Sequence, residues 1–247
     1  MAKRQTHKVA SRRKSGTVPI FVSAKMGPSP LRQESRQSRK SRISSVAGVS
    51  AAAKKKSTLD AGATREILLA GSGGQGVILA GKMLAQAAVA EGWNATYIPA
   101  YGAEVRGGTA HCHVKIGRRQ IGSPIVEDAT IVVAMNEPSY TAFCPLLRKG
   151  STLVVNSSLV PSIGKHAGVK IVSLELTKIA SDMGSLRSAN MLAFGLCAGL
   201  LGLEDGERLK SLLGEILGKK NPALLEVNER ILEKGVALGR EAAGAVS

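Results

Sequence analysis

The sequence predicts an α/β fold: a three-layer Rossmann-like domain with a mixed, mostly parallel sheet, a helical C-terminal third and a disordered basic N-terminal extension. Three observations carry this. From residue 64 onward, short apolar runs alternate with stretches of helical periodicity, as strands alternate with their covering helices. Two of those runs, ATIVVAMN (129–136) and STLVVN (151–156), are continuously apolar, as in central strands buried on both faces. The glycine cluster GSGGQG (71–76) falls where a strand-like run passes into a helix-like one.

The elements follow in order. EILLAG (66–71) reads as a first buried strand. After the glycines, Val77, Ala80, Leu84 and Ala87 or Ala88 recur at helical spacing, with Lys82 and Gln86 on another face and Gly92 as the stop. NATYIPA (94–100) is a second strand whose Pro99 lies near its end, where a missing N–H does least harm. In TAHCHVKI (109–116), Thr109, His111, His113 and Lys115 alternate with Ala110, Cys112, Val114 and Ile116. That period of two predicts a half-exposed, antiparallel strand. GVKIVSLEL (168–176) supplies another strand. The C-terminal third reads as helices: one capped at Ser188 that buries Met191, Leu192, Leu196 and Leu200, a second over GERLKSLLGEILGKK, and a third opened by Asn221 and Pro222.

The formal charge of +16 is unevenly placed. Residues 1–63 hold fifteen Lys or Arg against two acids, Glu34 and Asp60, and one aromatic, Phe21. Low hydrophobicity with high like charge cannot offset ordering entropy, so this extension is expected to be disordered. Three roles stay open for it: none that is specific, contact with nucleic acid or an acidic partner, or organelle targeting. Because the domain beyond it is nearly balanced, a nucleic-acid reading of the whole chain loses its support. TVPIFVSA (17–24) is too short and interrupted for a secretory core or a membrane span, so a cytoplasmic protein is expected. Cys112, Cys144 and Cys197 are far apart and form no CxxC spacing. Any iron–sulfur cluster used with this chain must sit on another one.

Gly71, Gly73, Gly74 and Gly76 allow a ligand close to the main chain, and the amides of a helix start then face it. That suits a phosphate or pyrophosphate; tight strand–helix packing is the plainer alternative. A nicotinamide or flavin dinucleotide would also want an acid at the end of the second strand. The chain there reads YIPAYG, with no acid before Glu104. Asn136 and Asn156 end the two apolar strands and would open onto the same carboxyl-edge crevice as the glycines. Each is a candidate ligand contact, or a strand terminator bonded to local backbone. Tyr101 could line that crevice. Glu104 and Arg106, before Gly107 and Gly108, form either a solvated pair or a docking element. His111 and His113 share a strand face without a third metal ligand nearby in sequence, so no metal site is expected.

GSGGQGVILAGKMLAQAA, YGAEVRGGTAHCHV, IGSPIV, AMNEPS and LVVNSSLV together resemble, in order, the gamma subunit of 2-oxoacid:ferredoxin oxidoreductases. The likeness spans residues 65 to about 240, and the basic extension has no counterpart in that family pattern. It implies oxidative decarboxylation of a 2-oxoacid with coenzyme A to acyl-CoA, carbon dioxide and reduced ferredoxin. Thiamine diphosphate, Mg2+ and iron–sulfur clusters would lie on alpha-, beta- or delta-type partner subunits. This chain would then assist assembly and coenzyme A binding, with no covalent catalyst of its own. The expected contacts are Gly73, Gly74, Gln75 and Gly76, with Asn136 and Asn156. Tyr101, Glu104, Arg106, Gly107 and Gly108 are assigned to an interface or active-site rim. The phrases lean toward the 2-oxoglutarate and branched-chain members. A stand-alone dinucleotide-binding oxidoreductase stays open as the alternative.

Overall fold

Among the described residues, strands dominate up to residue 174, interrupted by two covering helices, and helices follow. The computed structural model describes residues 20–22, 63–102, 108–203, 205–217 and 222–244. The elements are β1 (Ile20–Val22), β2 (Arg65–Ser72), α1 (Val77–Ala90), β3 (Asn94–Tyr101), β4 (Thr109–Gly117), β5 (Ala129–Ala134), α2 (Glu137–Phe143), β6 (Leu147–Asn156), β7 (Lys170–Leu174), α3 (Leu176–Asp182), α4 (Ala189–Leu201), α5 (Gly206–Leu217) and α6 (Pro222–Gly244). The expected cap at Asn221 lies outside the described residues. So does nearly all of the extension, apart from β1 and residue 63.

The strands form one sheet in the order β1-β3-β4-β2-β5-β6-β7. β2, β5, β6 and β7 pair in parallel, whereas β4 runs antiparallel to both β2 and β3. β1 pairs antiparallel to the edge of β3, Phe21 opposite Thr96. The sheet is thus mixed, and β2, β3, β5, β6 and β7 all point the same way. Their carboxyl ends share one edge.

β5 is buried at every residue, as its uninterrupted apolar run predicts. One face of the sheet, with Ile67, Leu69, Cys112, Val114, Ile131 and Val133, packs under α1 and α4. The other, with Leu68, Ala70, Val132, Leu153 and Val155, lies under α2 and the segment that carries Val160 and Ile163. α4 is apolar all round, and twelve of its residues are buried. Such a helix belongs inside, here between the sheet and α6.

Two local expectations are corrected. Lys115 was expected on a half-exposed face but is only 8% exposed, its Nζ held 3.1 Å from the Glu66 carboxylate on β2. A buried ammonium needs such a partner, and the pairing of Lys115 opposite Glu66 supplies it. Ser188 occupies the residue before α4 but makes no side-chain cap; its hydroxyl is 2.7 Å from that of Ser185 instead.

Candidate functional site

The glycine turn lies at the carboxyl edge, between the end of β2 and the start of α1. Gly74 and Gly76 adopt φ +99° and +73°, values that side-chain-bearing residues rarely take. A Cβ added at Gly74 would meet nothing within 4 Å among the described residues, which leave open space over this part of the turn. Two amides have internal partners: Gly73 N–H donates to Gly108 O (2.9 Å) and Gln75 N–H to Ser72 O (3.1 Å). Those of Gly74, Gly76, Val77, Ile78 and Leu79 have no acceptor among the described residues. Four of these five open the first turn of α1, where the macrodipole favours an anion by about 0.3–1 kcal/mol. No acidic side chain occupies that turn.

The side chains expected at this edge mostly hold it together. Ser72 N–H donates to Gln75 Oε1 (2.7 Å), and Gln75 Nε2 donates to Met135 O (3.4 Å). The Gln75 amide therefore ties β2 to β5. Asn136 Oδ1 accepts from Ser139 N–H (3.0 Å), capping α2, and its Nδ2 donates to Ser72 Oγ (2.5 Å). Asn156 is 0% exposed. Its Nδ2 donates to Met135 O (3.1 Å) and Thr177 Oγ1 (2.8 Å), while its Oδ1 accepts from Thr177 N–H (3.2 Å). Both ends of its amide are engaged, joining β6 to the residue after β5 and to α3. Of the two alternatives open for the strand-end asparagines, local backbone bonding describes only the Asn136 cap on α2; the Asn156 partners lie 21 residues away in either direction along the chain.

The segment after β3 returns to the glycine turn. Gly102 N–H donates to Thr109 O (2.7 Å), and Gly108 O receives the Gly73 amide. Both ends of the Glu104–Arg106 loop are thus set beside the turn, although Glu104, Arg106 and Gly107 themselves lie outside the described residues. Tyr101, the last residue of β3, is 67% exposed.

Sequence reasoning missed Asn190. From the first turn of α4 it donates through Nδ2 to Gly76 O (3.3 Å), across 114 residues of chain. Only its small-residue surroundings marked it, and nothing local predicts that contact.

The remaining candidates stay quiet. Cys112 is 0% exposed, and burial pushes its thiol up to about 12; Cys197 is buried and raised likewise. Neither has the depressed pKa of a nucleophile. His113 Nδ1 accepts from Val126 N–H (3.1 Å), and His111 packs edge-on against it and at a tilt against Phe143. Burial lowers both imidazoles below their ordinary range. Among the described residues no group of three His, Cys, Asp or Glu is placed to hold a metal. Nor is any described helix long and apolar enough to cross a membrane. A cavity of about 360 Å³ lies at the opposite edge of the sheet, lined by Arg65, Lys170, Leu200 and Ala242. Lys170 Nζ there donates to Ala242 O near the end of α6. That space is distant from the glycine turn.

A sheet of this order with an open glycine turn at its carboxyl edge defines a Rossmann-like α/β domain. The chain belongs to the pyruvate ferredoxin/flavodoxin oxidoreductase family, whose model matches residues 66–238. A ketoisovalerate oxidoreductase subunit of Methanothermobacter thermautotrophicus is 35% identical over 177 residues, which are 71% of this chain and 36% of that protein. The chain thus spans about a third of the ketoisovalerate subunits it matches. A 2-oxoglutarate synthase subunit of Archaeoglobus fulgidus is 28% identical over 70% of this chain and 87% of its own length. Among solved structures, the gamma subunit of a keto/oxoacid ferredoxin oxidoreductase from Geobacter sulfurreducens superposes with a TM-score of 0.60 at 26% identity, over 72% of this chain and 99% of that one. The 2-oxoglutarate:ferredoxin oxidoreductase of Magnetococcus marinus, with 2-oxoglutarate, coenzyme A and succinyl-CoA bound, gives 0.66 at 26% identity, over 72% of this chain and 31% of that one.

Proposed function

We propose that this chain is the gamma-type subunit of a multisubunit 2-oxoacid:ferredoxin oxidoreductase, and that its glycine turn binds coenzyme A. The carrying observation is the row of amides at Gly74, Gly76 and the first turn of α1 that have no acceptor among the described residues, at the carboxyl edge and beside the open space over Gly74. A diphosphate fits such a row: its oxygens accept several N–H groups at once, and its charge meets the positive end of the helix. Gly74 and Gly76 contribute main-chain amides, Gly73 and Gln75 shape the turn through their own backbone bonds, and the Gln75 and Asn136 side chains hold the strand ends in line behind it. Tyr101, Gly108 and, outside the described residues, Glu104, Arg106 and Gly107 are assigned to a subunit interface or the active-site rim.

Thiamine diphosphate with Mg2+ supplies the decarboxylation chemistry, on alpha- and beta-type partners. The iron–sulfur clusters that pass electrons to ferredoxin belong to beta- or delta-type chains, in keeping with three buried, separated cysteines here. The substrate leaning stays with 2-oxoglutarate or a branched-chain 2-oxoacid, and the cytoplasm is the expected compartment.

Two measurements test this. Affinity purification from the native cell is expected to recover alpha- and beta-type chains with 2-oxoacid-dependent viologen reduction, absent from the isolated chain. Calorimetric titration with coenzyme A is expected to show binding that Gly74→Val abolishes, because its side chain would stand in the open space over the turn. A protein that purifies without partners and shows no heat with coenzyme A overturns the reading.

A further inference from the structure

We infer that Asn190 is the positioning residue of the glycine turn, setting the direction of the amides that meet the ligand. The inference deepens the coenzyme A reading and rests on it for the nature of the ligand. Asn190 is 7% exposed and reaches from α4 to the one carbonyl at the junction of turn and helix. Gly76 O is also the acceptor that starts the α1 ladder, receiving Ala80 N–H at 3.0 Å. A carbonyl held from both sides cannot rotate, and its peptide plane fixes the direction of the neighbouring Val77 N–H. Gly76 is left-handed at φ +73°, and no side chain caps α1 there. The Asn190 amide is the described side chain bonded to that residue.

Packing points the same way. A Cβ at Gly76 would lie 2.8 Å from Asn190 Cγ, so the amide covers the Cα of the turn in direct contact. Glycine at 76 is therefore required twice, by its own φ and by the group lying over it. Because α4 is buried almost throughout, its first turn is a fixed platform. The ligand-facing loop is pinned to this buried helix as well as to its own neighbours. Such support keeps binding groups oriented before the ligand arrives, which reduces the ordering cost of binding.

The test compares Asn190→Ala and Asn190→Asp with a matched control, Asn228→Ala. Asn228 is 3% exposed and its amide donates to Leu224 O one turn back on α6. Amide hydrogen exchange of the full-length chain, read without ligand, is expected to quicken at least fivefold at Ala80 in both Asn190 variants but not in the control. Calorimetry with coenzyme A is expected to show at least tenfold weaker binding in both, with Asn228→Ala unchanged despite a similar loss of thermal stability. In the assembled enzyme the Asn190 variants raise KM for coenzyme A while kcat stays within twofold. Unchanged exchange at Ala80 overturns the positioning role, and so does unchanged affinity in a chain that binds coenzyme A. If the unmodified chain shows no coenzyme A binding, the ligand assignment falls, and the exchange measurement still decides the role of Asn190.

Discussion

Replacing Gly195 with alanine tests what holds the C-terminal helices to the core. α4 and α6 meet backbone to backbone through two glycines on each: Gly195 and Gly199 face Gly235 and Gly239. A Cβ at Gly195 would lie 3.0 Å from Val236 N and 3.1 Å from Gly235 Cα, and closer still to Leu232 O. Relaxed carbon contacts need roughly 3.5 Å or more, so the axes must part by about 0.5–1 Å. A gap of that size forfeits roughly a quarter to a half of each dispersion contact it opens. Overpacking of this kind costs about 3 kcal/mol, and alanine regains about 1 kcal/mol of helix propensity, leaving a net loss of about 2 kcal/mol. Urea denaturation should register it as a lower midpoint at unchanged slope. Gly235→Ala should behave alike, and the double variant should lose less than the sum because one separation relieves both clashes. Gly214→Ala on α5 meets nothing within 4 Å and should gain up to about 1 kcal/mol. A Gly195→Ala midpoint equal to or above the unmodified chain would refute direct backbone contact.

Two further outcomes follow from the polar groups. Asn156→Ala removes three hydrogen bonds at a fully buried site and orphans Thr177 N–H. It should cost about 3 kcal/mol in the same denaturation assay while leaving coenzyme A affinity within about twofold; a selective loss of affinity would mark Asn156 as a ligand contact. His113 is held below the usual imidazole range by burial first, then by His111 and Lys115. The folded chain therefore prefers neutral imidazole, so stability is complete above about pH 6.5 and declines as the pH falls toward the lowered folded-state value. His113→Asn keeps an acceptor for Val126 N–H and removes the titration. The stability loss between pH about 7.5 and about 5.5 should shrink in the variant, with a residue left by His111. Equal losses in both proteins would show that His113 does not carry this dependence.

The strand and helix order was legible because hydrophobic periodicity is a local signal. β5 and β6 read as central from their unbroken apolar runs, and both are. β4 read as antiparallel from its alternation, and it pairs so on both sides. Its buried Lys115 was not legible, because alternation reports a face and says nothing of what covers it. The charge that compensates Lys115 comes from Glu66, on a strand about fifty residues earlier.

The glycine turn, its position before α1 and the absence of cluster-type cysteine spacing were determined by the sequence itself, since each depends only on neighbouring residues. Which amides stay free was decided by tertiary structure. Gly108 takes the Gly73 amide, and Asn190 holds the Gly76 carbonyl from 114 residues away. The strand-end asparagines show the same division. Their place at the carboxyl edge follows from the end of an apolar run, whereas their hydrogen-bond partners come from β2, β5 and α3, brought together only by the order of the sheet. Local sequence specifies conformation over a few residues; a long-range hydrogen bond depends on which segments pack together, and that is a property of the whole chain.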